Sequence, residues 1–361
     1  MTRLRRFPGS VVAAIVAVVV VAIAATGISR VRAESPPSLP PTTADQLLAS
    51  TITAVAAPHA VSGTVETRLE VGMPEIPPAL SGAAGGVGIA NVLGSIIGVQ
   101  RFRVWDSPDG IRVQHLMDLQ EQDLVANHSE AWFWDSATSA ATKLRAAGIA
   151  SAVPAPPTDA RAQMANADPL RIAKHMLDLA STCGDVSVSA STVVAGREAY
   201  VLRFTPSSHT TLVGDVTIAI DAQTRLPLDV SITPRGGSTA AVEAGFTSVS
   251  FDAIDPSMFS FTPPPGATVR DVTDKVSAAI AAAGHHKDAG SGEQRPITAG
   301  SCLDTSVAVP LDHPLPPEAS SLLPYSGPLG SAITAERDGT TWLLAGPVDV
   351  ATLQARADAL P

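Results

Sequence analysis

Cysteine is nearly absent: 361 residues hold two, Cys183 and Cys302, with no Cys-x-x-Cys pair. That spacing speaks against a redox motif or a thiolate metal cage. Aromatic residues are scarce at 4%, while Ala, Val and Pro are abundant. Catalytic signatures are missing as well. There is no Gly-x-Ser-x-Gly elbow and no His-Glu-x-x-His, and glycine-rich residues 82–88 lack the lysine of a phosphate cradle. His285-His286-Lys287 has no third metal ligand nearby in sequence. The expectation is therefore a non-enzymatic chain without metal or cofactor.

Charge is missing from two stretches. The first lies between Arg6 and Arg30, where Val11 to Ile28 are almost wholly Val, Ala and Ile behind Arg3, Arg5 and Arg6. A cleavable signal carries an apolar run of roughly 7–15 residues and a spanning helix needs about 20, so both readings stay open. Val31-Arg32-Ala33 offers an acceptable cleavage site. Residues 1–33 are read as a signal peptide or N-terminal membrane anchor, the body as extracytoplasmic: in the cell envelope, secreted, or held on the outer face of the cytoplasmic membrane. Those 33 residues include five arginines and no acidic residue, so the body's formal charge moves from −10 to −15. An acidic body excludes nucleic acid as a partner. In an exported chain Cys183 and Cys302 read as a disulfide, with free buried thiols as the alternative.

The second uncharged stretch lies between Glu75 and Arg101. Residues 72–98 read either as a loop with one short core helix or as an apolar flap, formed by Ile89, Val92, Leu93, Ile96 and Ile97, over a greasy ligand. Around it the chain is regular. Residues 34–41 are a proline-rich stalk, too stiff and polar to pack. A helix is expected from Thr42 or Thr43 to Ala57, stopped by Pro58, and then a strand over Val61–Val71. Period-two alternation from Val99 to Lys143 predicts an antiparallel meander with a turn at Asp109-Gly110. A loop over 146–166 leads to a helix from Asp168 to Ser181. A second meander follows, over Val186–Val194, Glu198–Thr205, Val213–Asp221, Leu228–Thr233 and Ala241–Phe251. Residues 270–300 read as a linker. Residues 301–361 read as a small α+β subdomain with a hairpin at Asp338-Gly339 and a helix capped by Asp349. His115 lies on an apolar strand face and reads as a core histidine.

Several segments resemble the LolA-like lipoprotein carrier family, of the outer-membrane lipoprotein-sorting type, in particular its actinobacterial branch. They are VSGTVETRLEVGMP after the first helix, GREAYVLRFTP, the turn Asp-Ala-x-Thr-x-Leu-Pro-Leu within VTIAIDAQTRLPLDVSITP, and the closing FTSVSFDAIDPSMFSFTPPPGATV. The resemblance covers Thr42 to Val269, about two-thirds of the chain. It implies a strongly curved, incomplete antiparallel β-barrel of about ten strands with capping helices over residues 42–269, beside the small C-terminal unit. It also implies an apolar cavity for a lipid or the acyl chain of a lipidated protein. Alternation assigns that cavity to Phe102, Val104, Val113, Met117, Trp132, Trp134, Leu202, Phe204, Val216 and Ile218, with Arg101 and Arg103 facing solvent. Because a one-residue slip turns a strand inside out, the face assignment rests on register. The expected partners are a lipid or lipidated protein, a membrane protein, and the membrane itself if the first segment is retained. The second reading is an envelope-stress sensor resembling sigma-factor regulatory proteins.

Overall fold

The computed structural model describes residues 37–70, 72, 98–145, 177–178, 180–278, 296–311, 315 and 317–360. The protein is α+β, with one sheet of twelve strands and one of five. Helix α1 spans Ala44–Ala56. Its start is set by a reciprocal cap, in which Gln46 N donates to the Thr43 hydroxyl and Thr43 N donates to the Gln46 side chain, both at 3.3 Å. Of the helix expected over 168–181, residues 177–178 and 180–181 are helical and 168–176 and 179 lie outside the described residues.

The large sheet contains β1 (Val61–Leu69), β2 (Gly98–Ser107), β3 (Gly110–Met117), β4 (Gln120–Asn127), β5 (Glu130–Asp135) and β6 (Ala140–Arg145). It continues with β7 (Gly184–Val194), β8 (Arg197–Pro206), β9 (Val213–Asp221), β10 (Pro227–Pro234), β11 (Val242–Ser250) and β12 (Thr268–Asp271). The order is β12-β6-β5-β4-β3-β2-β1-β11-β10-β9-β8-β7. Two meanders, β1 to β6 and β7 to β11, are thus joined by the antiparallel pairing of β1 with β11. The sheet is curved and unclosed. It curls until β7 approaches β11, four places away in the order. One buried cluster accordingly gathers Val104, Val65, Phe246, Leu228, Ala219, Ala199 and Val194 from seven successive strands. Twelve strands exceed the ten or so expected because β6 and β12 are short. The four residues of β12 are all exposed and pair parallel to β6, which leaves no alternation to read.

The turn between β9 and β10 accounts for the Asp-Ala-x-Thr-x-Leu-Pro-Leu motif. The Asp221 carboxylate, 1% exposed, accepts two hydrogen bonds from Arg197 at 2.6 and 2.9 Å. It also accepts from Gln223 N, Thr224 N and the Thr224 hydroxyl. Burial pushes its carboxyl up, but these donors outweigh burial and hold it below the ordinary carboxylate value. Leu226 and Leu228 then turn inward.

The proline-rich segment departs from expectation, because its described part packs. The Pro37 carbonyl accepts from the Ser191 hydroxyl, and the Pro40 carbonyl from the Tyr200 hydroxyl at 3.0 Å. Leu39 joins a cluster formed by Leu47 of α1 with Tyr200, Leu202 and Ile220. A prolyl carbonyl is still an acceptor, and that suffices once β7 and β8 supply the donors.

The small sheet has the order β13-β14-β17-β16-β15. Its strands are β13 (Ile297–Ala299), β14 (Ser306–Leu311), β15 (Tyr325–Ser326), β16 (Ser331–Arg337) and β17 (Thr340–Gly346). A single turn α2 (Pro317–Ser320) and helix α3 (Val350–Ala357), capped by Asp349, complete it. Leu353 and Ala357 of α3 bury Ile333, Trp342 and Leu344 against Val348. The two sheets are fastened together. Cys183 and Cys302 form a disulfide. The Asp304 carboxylate accepts from Ser208 and Thr210 at 2.7 and 2.9 Å, and the buried Thr211 hydroxyl donates to Leu303 O at 2.7 Å.

Candidate functional site

The strands β1 to β6 pair without any register shift from β2 onward. Side chains that face each other across such a ladder share one face of the sheet. Val104 faces Val113, Val113 faces Leu124, and Leu124 faces Phe133. The neighbouring row runs Ile111, Ala126, Ala131, Leu144. Exposure rises along the first row, from 4% at Val104 to 42% at both Leu124 and Phe133, and Ile111 is 36% exposed. Three interstrand steps of about 4.8 Å make this an apolar strip roughly 14 Å long. One end is buried in the core and the other is open.

A polar row borders the strip. His115 faces Phe102 and Gln122 across the ladder. Its ring stacks on Phe102 with centroids 4.5 Å apart, and Nε2 lies 2.9 Å from Gln100 Oε1. Burial lowers its imidazole pKa against the opposing hydrogen bond with Gln122. His115 is the satisfied core histidine expected from the sequence.

The other face of β3–β5 is occupied. Arg112 grips the buried Asp123 carboxylate through Nε and Nη2, at 3.1 and 2.5 Å. Trp132 donates to Glu130 at 2.8 Å, packs against Phe261 and lies under the Lys143 ammonium at 4.7 Å. Phe259, 2% exposed, fits where Gly110 has no side chain, since a Cβ there would come within 2.9 Å of it. Asn127 holds this return segment by donating to Phe259 O at 2.9 Å.

The ten residues assigned to one cavity therefore fall in different places. Phe102 and Val104 belong to the curled core, and Val113 shares their face. Met117 is half-buried on β3, at the same phase as Val113. Trp132 and Trp134 flank Phe133 in sequence and so lie on the opposite face, beside Phe261. Leu202 and Ile218 pack under α1, and Phe204 faces Val216 further along the same pair of strands. Leu124 and Phe133 went unassigned in the sequence, although the ladder through Val113 selects them. Ile89, Val92, Leu93, Ile96 and Ile97 lie outside the described residues, as do His285 and His286.

Among the described residues, His115 is the titratable group the strip borders, and it is already held by Phe102 and Gln100. Among the described residues, no cluster of three or more His, Cys, Asp or Glu could hold a metal ion, and no helix is long and apolar enough to cross a membrane. What the strip can do is remove hydrocarbon from water, at about 0.8 kcal/mol per buried CH₂.

No family model matches the chain, and no curated protein matches it. Solved structures align loosely and at low identity. MucB of Pseudomonas aeruginosa, in its complex with MucA, is 14% identical over 87% of this chain and 96% of that one, with a TM-score of 0.44. An uncharacterized conserved protein from Thermus thermophilus is 12% identical over 63% and 98%, with a TM-score of 0.35. A LolA superfamily protein from Nitrosomonas europaea is 10% identical over 61% and 99%, with a TM-score of 0.23.

Proposed function

We propose that this chain is a non-enzymatic, extracytoplasmic binding module that takes a lipid, or the acyl chain of a lipidated protein, on the apolar face of β3–β6. One observation carries the reading: the row Val104–Val113–Leu124–Phe133 passes from the core to solvent without a polar side chain. A linear hydrocarbon is the ligand shape such a strip suits. Displacing water from Leu124 and Phe133 needs no hydrogen-bond partner and no charge. The signal-like first segment and the Cys183–Cys302 disulfide support an oxidising compartment outside the cytoplasm. A sixteen-carbon chain fully covered would gain on the order of 10 kcal/mol before ordering costs.

The test is to extract the full chain from native membranes under mild conditions and weigh it by native mass spectrometry. Lipid-sized adducts are expected on the native protein and are expected to vanish in the double variant Leu124→Asp, Phe133→Asp. A homogeneous, ligand-free mass for the native protein would remove the acyl reading. The alternative, a sensor that binds a regulatory protein, is favoured by a separate observation, the unpaired outer edge of β16 in the small sheet.

A further inference from the structure

The small sheet is covered by α3 on one face and open along one edge. Strand β15 has two residues and covers only Ala332 and Ser331 of β16. Among the described residues, nothing pairs with the outer side of β16 from Ile333 to Arg337. In an antiparallel ladder every second residue turns both main-chain groups to the same side. Ala332 faces Tyr325 on that side, so Thr334 and Glu336, next in phase, direct their N–H and C=O groups outward. The strand's only device against pairing is the charge at its end, Glu336 and Arg337. It has no proline and pairs with β17 without a bulge.

A cleft of about 320 Å³ opens beside this edge. Leu323, Pro324, Ile333, Ala335 and Ala357 supply its apolar lining. Arg337 and Asp358 form an ion pair at its rim. The Arg337 guanidinium is further engaged by the carbonyls of Ala357 and Glu336, at 3.1 and 3.0 Å. That leaves the exposed carboxylates of Glu336 and Asp338, neither of which has an ion-pair partner among the described residues. The edge therefore offers backbone hydrogen bonds, a socket for an apolar side chain and a negative border.

We propose that the outer edge of β16 is a docking site for an extended, basic segment of another polypeptide. The segment adds as a sixth strand, hydrogen-bonds Thr334 and Glu336 through its main chain and seats one apolar side chain in the cleft. Its cations face Glu336 and Asp338. The Glu336 carbonyl keeps a second lone pair for the incoming N–H while Arg337 holds the first. This site is distinct from the apolar face of β3–β6 and does not depend on lipid binding.

The experiment uses the full chain and a synthetic seven-residue peptide of alternating lysine and valine. Binding is followed by fluorescence anisotropy and by amide hydrogen exchange. The native protein should bind, with new protection at the Thr334 and Glu336 amides. Thr334→Pro removes an outward N–H without touching the bonds to β17, and edge strands tolerate proline in that orientation. It should weaken binding at least tenfold while protection at Ile333 and Leu344 is retained. Glu336→Lys should weaken it severalfold, and the double variant Leu124→Asp, Phe133→Asp should bind as the native protein does. The proposal is overturned if millimolar peptide does not bind, if Thr334→Pro binds unchanged, or if protection appears elsewhere. It is equally overturned if Thr334 and Glu336 become protected on concentrating the protein alone, which would make a second copy the occupant.

Discussion

The two sheets are covered to different extents. In the small one, α3 covers one face, Val307 and Val309 lie exposed on the other, and the edge of β16 is open. In the large one the proline-rich segment packs on β7 and β8 at one end, β12 is the exposed last strand at the other, and the face bearing Leu124 and Phe133 stays open. A helix covers a few strands at most, so a sheet of twelve outgrows α1, which reaches only the β7–β9 end. The contrast matters for chemistry. An open face offers area without direction, which suits hydrocarbon, whereas an open edge offers direction with little area, which suits another backbone.

Five variants test how far the two regions differ. The largest effect is expected from Asp221→Ala, which leaves Arg197 without its partner and strips the β9–β10 turn of its acceptor. Breaking a buried pair from one side costs about 3–5 kcal/mol, measured as the shift in a denaturant midpoint. The same group sets an acid limb. Its lowered carboxyl pKa contributes stability above the ordinary value of 3.8, and that contribution is lost as pH falls through the lower folded value. Asp304, pushed up by burial but held down by Ser208, Ser301, Thr210 and Arg356, acts in the same sense. Asp221→Asn should flatten this limb in a pH series of unfolding curves.

Next comes Cys183→Ser with Cys302→Ser. The bond closes a sequence separation of 119 residues, and its loss should cost about 2–5 kcal/mol. A single unfolding transition that splits into two on its removal would show that the sheets are one cooperative unit only while joined. Ile333→Ala, at a site 5% exposed, should cost a similar about 2–5 kcal/mol because α3 has closed that core. Leu124→Asp sits at the other extreme. On the open face it should change stability by no more than about 0.5 kcal/mol, and a loss as large as that of Ile333→Ala would mean the face is covered in the folded protein.

Much of this architecture could be read in the residues. The alternation of β2, β3 and β8, the helix start at Thr42 or Thr43 and the hairpins at Asp109-Gly110 and Asp338-Gly339 are local, and local patterns survive folding. The face assignment did not. Period two sorts Trp132 and Trp134 from Phe133 but does not say which set meets solvent. Alternation alone places the two indoles in a ligand site. Instead they are sheltered by Phe261, more than a hundred residues downstream, and Phe133 is the one left in the open. The same limit applies to Leu202 and Ile218, whose face is set by where α1 lands. Strands as short as β12, β13 and β15 exist because a neighbour offers them an edge, and no pattern of their own announces them.

The docking of Pro37 onto Ser191 shortens whatever leash precedes it. Anything that holds the chain upstream of Pro37 therefore holds the body by its β7–β8 side, at the opposite end of the large sheet from β12.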